Sequence, residues 1–209
     1  MKLYSYIVTS DTGFSPNPFW GKCTLACCKP IIRKTADPGV WVVGIRGKSL
    51  YNKLGLEKTS DASTTYKIIY AMKVSEKISF KDYFRRFPEK RPDYSKAEAI
   101  YNRGDNCYKP LGNGDYKQLE SMHTRKNKEK NKEKDLNGKF VLIADQFYYF
   151  GSKPLDIPEN LSNLICGRGH KCDFDKSTQN IFREYITSRK FGVKARPSLW
   201  NENDKSWKQ

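Results

Sequence analysis

The sequence predicts an α+β protein: a small bent mixed sheet, or partial β-barrel, flanked by helices. Three observations lead there. Short runs rich in β-branched and aromatic residues are separated by Gly/Pro clusters, which is how strands are punctuated. Two or three segments with apolar residues at helical intervals lie between them. Strands and helices do not alternate regularly enough for a doubly wound sheet.

The elements follow in order. Residues 3–10 (LYSYIVTS) read as a strand. It runs into a Gly/Pro-rich loop, DTGFSPNPFWGKC, carrying the aromatics Phe14, Phe19 and Trp20. Residues 30–36 (PIIRKTA) form a short helix with Pro30 in its first turn. Asp37-Pro38-Gly39 then places Pro and Gly at the central positions of a turn. Residues 40–45 (VWVVGI) are a buried strand. Residues 46–63 read as loop, and 64–74 (TTYKIIYAMKV) as one long strand. Ser79 and Asp82 have capping-box spacing, and Phe80, Tyr83, Phe84 and Phe87 recur on one helical face. Residues 88–138 are the least structured third. Residues 140–150 (FVLIADQFYYF) return to strand. Pro158 opens a short helix, and a last helix covers about 178–190, with Gly192 as its cap. The expected organisation is one domain over 1–192, with a polar, Lys-rich insertion at about 120–138, and a polar tail over 193–209 that holds Trp200 and Trp207.

The chain has 209 residues, enough for one good core. Thirty-nine Lys and Arg against 23 Asp and Glu leave +16, a balance that attracts polyanions, nucleic acid above all. The run 125–134 (RKNKEKNKEK) supplies +4 of it and reads as a mobile loop or exposed helix extension; the rest is spread along the chain, where a solvated basic surface is the plain alternative. No stretch approaches the ~18 apolar residues of a membrane span, and the N-terminus turns polar too early for a signal peptide. A cytoplasmic protein with no membrane partner is the expectation. The six cysteines then read as reduced thiols. Cys166, His170 and Cys172 lack a CxxC partner, so no metal is assigned, and no cofactor motif is present.

Four features carry candidate chemistry. The loop aromatics Phe14 and Trp20 suit the walls of a base slot, with Asp11 and Asn17 reading the base edge and Lys29 and Arg33 holding phosphate; the alternative is a satellite core under the loop. In the tract 147–150, successive side chains alternate faces, so Tyr148 or Tyr149 joins Trp20 at the rim or is structural. In CGRGHKC (166–172), Arg168 and His170 between glycines form an anion clamp or a tight turn. Cys27 and Cys28 precede a helix and adjoin Lys29, a setting that activates thiols, although a buried small hydrophobe is the commoner fate. Cys28 and His170 are the candidate catalytic groups.

These stretches resemble a known family. YIVTSDTGFSPNPFWGKCTLACCKPIIRKTA, GVWVVGI, YAMKVSEKISFKDY and FYYFG…IPENL…GRGH look like the second of the nucleotide-modification-associated domain families, prokaryotic and phage proteins named for association with DNA base-modification systems. Asp11, Gly13, Asn17, Pro18, Trp20 and the CCKP run fit in order. The layout also resembles, more loosely, the PUA-like class, small bent barrels with a pocket for a modified or flipped base. The resemblance implies binding of nucleic acid or a modified nucleobase, with protein partners in a modification system. Two alternatives stay open: an enzyme acting on a base or nucleotide through Cys28 or His170, and a non-catalytic interaction subunit.

Overall fold

A computed structural model describes residues 2–57, 60–124 and 128–200; side chains at 128–130 are not described. The elements are β1 (Leu3–Val8), β2 (Cys23–Leu25), α1 (Pro30–Thr35), β3 (Trp41–Arg46), α2 (Lys48–Lys53), α3 (Ala62–Thr65), β4 (Lys67–Lys73), β5 (Glu76–Ser79), α4 (Phe80–Arg86), β6 (Tyr108–Pro110), β7 (Tyr116–Gln118), α5 (Lys128–Leu136), β8 (Phe140–Ala144), β9 (Gln146–Tyr149), β10 (His170–Lys171), α6 (Lys176–Thr187) and β11 (Gly192–Val193). Three 3-10 turns cover Pro88–Lys90, Ala99–Arg103 and Glu159–Leu164.

The large sheet is mixed, in the order β10-β1-β3-β4-β9-β11, with β1 parallel to β3 and β9 parallel to β11. A second, antiparallel sheet runs β2-β8-β5. Two strand pairs bend from one sheet into the other. β4 passes through Val74 and Ser75 into β5, and β8 passes through Asp145 into β9. The long strand expected over 140–150 is therefore two strands with a corner. The sheet is bent but does not close into a barrel; β10 and β11 are its edges.

Alternation sorts the core. Tyr4, Tyr6 and Val8 face the small sheet and α1, together with Leu25, Ile32, Val42, Tyr70 and Met72. Leu3, Trp41, Val43, Ile45 and Ala71 face α6, where Phe182 and Ile186 cover them. The far face of the small sheet packs Val141 and Ile143 against Phe14, Phe80, Tyr83 and Tyr108. Gly44 is required here: a Cβ would lie 2.3 Å from the Tyr70 ring.

Local signals explain the ends. Val40 N–H donates to the Asp37 carbonyl at 3.2 Å and Gly39 has φ +89°, closing the turn read from Asp-Pro-Gly. Ser79 Oγ accepts from the Asp82 N–H at 3.0 Å, so α4 starts where its cap stands. Other boundaries moved. Asp61 caps α3 through Ser63 N–H, so β4 begins only at Lys67. α2 occupies part of the expected loop 46–63. α6 starts earlier, capped by Asp175, and ends at Ser188, while Gly192 opens the edge strand β11. Trp200 is buried beside Phe19 rather than lying in a polar tail, and Ser198 bonds to Asp11; Trp207 lies outside the described residues. Among the described residues no helix is long and apolar enough to cross a membrane.

Candidate active site

β2 ends at Leu25, and the chain must turn sharply to enter α1. It does so through Cys28 (φ +60°) and Lys29 (φ +41°), two consecutive non-glycine residues in the left-handed region. Such conformations cost of order 1–3 kcal/mol each and persist only where the surroundings enforce them. The enforcement is Arg33, on the next turn of α1. Its side chain is 0% exposed. Nε donates to the Cys28 carbonyl at 2.7 Å, Nη1 to the Phe140 carbonyl at 2.8 Å and Nη2 to the Asp135 carbonyl at 2.6 Å. Gly138 makes room for it, since a Cβ there would lie 2.5 Å from the guanidinium carbon.

Arg33 thereby ties α1 to the inner end of α5, which delivers Asp135. That carboxylate is 1% exposed. Oδ1 accepts the Cys28 backbone N–H at 2.6 Å, and Oδ2 accepts the Tyr108 hydroxyl at 2.8 Å and His123 Nδ1 at 2.8 Å. The other imidazole nitrogen, Nε2, stands 3.4 Å from Cys28 Sγ. Thiol, imidazole and carboxylate form one continuous line. The Phe14 ring lies 4.8 Å from the imidazole and backs it.

The electrostatics agree with the geometry. Burial pulls the His123 pKa down, but its bonds to Asp135 and Cys28 outweigh that and raise it to about 10. Burial pushes Asp135 up, and the His123 bond and charge, Arg33 and the Cys28 N–H outweigh it, leaving the carboxyl below its ordinary range. The site favours an imidazolium, the species formed when the thiol gives its proton to the ring. The His123 side chain is 19% exposed and Cys28 is half-buried, so neither residue is sealed in the core.

Cys27 Sγ, His123 and Asp135 also offer ligand atoms within 4.8 Å of one another, a set able to take a metal. Asp135 already accepts three hydrogen bonds through its two oxygens, and Cys27 is buried with its Sγ 3.8 Å from Cys107 Sγ. The carboxylate orients an imidazole here, the usual role of such an acid.

Lys29, the next residue after Cys28, lines a cleft of about 450 Å³ together with Lys48, Arg168, Cys166, Tyr66 and Ile7. Lys29 Nζ lies 4.3 Å from the Tyr6 ring centroid and reaches the Ile7 carbonyl at 3.4 Å. Arg168 and Lys48 are exposed at the mouth. Lys29, Lys48 and Arg168 thus put three cations on the cleft lining, beside Gly167 and Gly169.

A family model described as nucleotide modification associated domain 2 matches residues 1–204. The chain belongs to this family. Comparison with curated proteins and with solved structures gave no match.

In this family member the residues singled out from sequence separate into groups. Lys29 and Arg168 share the basic cleft. Cys28 has an imidazole, but it is His123; His170 sits on the edge strand β10 with its ring 5.7 Å from Tyr4, and burial and the nearby Lys29 and Lys2 lower its pKa. Arg33 is too deep to meet phosphate and is a brace. Asp11 is buried, accepting Tyr149 Oη and the Ser198 N–H and hydroxyl. Tyr149 is therefore a core group, and Tyr148 packs its ring against Trp41, 6.1 Å away; neither stands at a rim with Trp20. Asn17 is buried and donates to the Gly13 and Arg103 carbonyls. Phe14 is buried under His123. Trp20 lines an open cleft together with its loop neighbours Pro18, Phe19 and Gly21.

His123 and Asp135 escaped the sequence reading because they stand 95 and 107 residues from Cys28, at either end of a lysine-rich run. A signal existed. The chain has two histidines, and Asp135-Leu136 breaks the Lys/Glu alternation with the one acidic–apolar pair of that segment.

Proposed function

We propose that this protein performs thiol chemistry on a phosphate-bearing substrate, a nucleotide or nucleic acid. The observation that carries the reading is the line Cys28 Sγ–His123–Asp135, joined through the next residue, Lys29, to a cleft lined by three cations. With the proton already on His123 Nε2, Cys28 Sγ gives its electron pair to an electrophilic carbon of the substrate, forming a C–S bond. The imidazolium, oriented by Asp135, returns the proton to the leaving atom as its bond to that carbon breaks. Lys29, Lys48 and Arg168 hold the phosphate. The family's association with nucleotide modification supports the substrate class.

The test is protection from alkylation. A nucleoside monophosphate should slow the reaction of Cys28 with iodoacetamide while leaving Cys172, outside the cleft, unchanged. Arg168→Ala should weaken that protection. Turnover in a panel of nucleotides and modified-base oligonucleotides should vanish in Cys28→Ser. Absence of protection, or turnover retained by Cys28→Ser, contradicts the proposal.

A further inference from the structure

At the other end of β2 lies a second cleft, about 500 Å³, whose walls are nearly all apolar: Trp20, Ile100, Tyr101, Phe147, Phe191 and Val193. Its construction is unusual. Trp20 has φ +57°, a conformation that a bulky residue rarely adopts, and Gly21 follows at φ +76°. The turn is held by Lys90, a wholly buried ammonium. Its Nζ donates to Asn17 Oδ1 at 2.7 Å, the Phe19 carbonyl at 2.8 Å and the Lys22 carbonyl at 2.9 Å, with a longer contact to the Asn17 carbonyl at 3.3 Å. Burial lowers its pKa to about 8. A buried cation thus fixes the backbone on both sides of Trp20, presenting the indole with its ring 6.5 Å from Tyr101. Opposite, Phe191 is 68% exposed.

We infer that this cleft receives an unpaired base of a single-stranded nucleic acid. Aromatic faces stack any base, so the wall needs no edge-reading groups. Cations stand near the lining residues. Lys96 stands over the Tyr101 ring at 4.0 Å, and the exposed Lys190 and Lys194 flank Phe191 and Val193 in the chain, while Arg189 stacks on Tyr185 at 4.9 Å. Aromatic walls with cations close by suit a single strand, and a neutral apolar peptide or lipid chain would gain nothing from the cations. The inference is independent of the thiol chemistry: it rests on a different cleft, and its failure leaves Cys28 untouched.

The experiment compares a fluorescein-labelled deoxythymidine twelve-mer with the same backbone lacking its bases, by anisotropy at fixed low salt. Wild type binds the base-bearing strand at least about fivefold more tightly than the abasic one. Phe191→Ala, an exposed residue whose loss leaves the core intact, removes that preference, as does Tyr101→Ala. In Phe191→Ala, Cys28 still alkylates at the wild-type rate. Equal binding of both strands by wild type, or a preference retained in Phe191→Ala, overturns the inference; so does association of neutral phosphatidylcholine vesicles through Phe191 in place of the oligonucleotide.

Discussion

The two ends of β2 are built alike and do different things. At each end the backbone takes positive φ at non-glycine positions, and a fully buried cation holds nearby carbonyls in place: Lys90 around Trp20, Arg33 around Cys28. Among the described residues Lys90 bonds to neutral oxygens, and the charge of Asp105 acts on it at a distance. The Arg33 guanidinium lies 3.8 Å from Asp135, which also holds an imidazole and a backbone N–H. One clamp shapes a surface. The other organises groups that exchange protons. A buried cation that only braces can be recognised by its carbonyl partners, and one that belongs to a reactive site by a carboxylate shared with titrating neighbours.

The sharpest way to break the comparison is at the carboxylate. Asp135→Ala leaves His123, the Cys28 N–H and the Tyr108 hydroxyl without their shared acceptor and Arg33 without its charge partner, and should cost ~3–5 kcal/mol, the scale for one partner lost from a buried pair. Urea unfolding measures it, and a loss below ~1 kcal/mol would mean the network is not cooperative. Lys90→Met should cost somewhat less, ~2–4 kcal/mol, because it orphans buried neutral acceptors rather than charges. Gly138→Ala pushes a methyl toward Arg33 and should cost ~1–3 kcal/mol, the usual scale of overpacking.

The two clamps also separate by pH. The folded-state pKa of His123, about 10, lies above the unfolded value near 6.5. Its stabilisation is fully present below pH 6.5 and is lost as pH rises toward 10, because there the folded chain holds a proton the unfolded chain has released. Urea midpoints should fall over that window in wild type and fall less in His123→Gln. Equal slopes in both would remove His123 as the source.

Much of the fold was legible. The strands at Leu3 and Trp41, the turn at Asp37, the Ser79 cap and the Pro30 helix each rest on signals a few residues long. The bends at Val74–Ser75 and Asp145 were not, because a corner between two sheets leaves the hydrophobic alternation of 67–79 and 140–149 nearly unbroken. The candidate site divides the same way. Cys28, Lys29 and Arg168 stood out locally. His123 and Asp135 did not, since the Lys/Glu run at 125–134 reads as solvated decoration, and only the Arg33 brace shows that α5 carries a buried acid at its inner end. Arg33 itself drew the wrong role because its charge was visible and its burial was not.

The central claim is that Cys28 is a reactive thiol because His123 faces it. The most direct measurement is the rate of iodoacetamide modification at each of the six cysteines, resolved by peptide mass spectrometry at pH 7, in wild type and His123→Ala. The account predicts that Cys28 is modified well ahead of the other half-buried thiols, Cys166 and Cys172, and slows at least about tenfold in His123→Ala while those two do not change. Modification of Cys28 no faster than Cys172, or at a rate indifferent to His123, would contradict it.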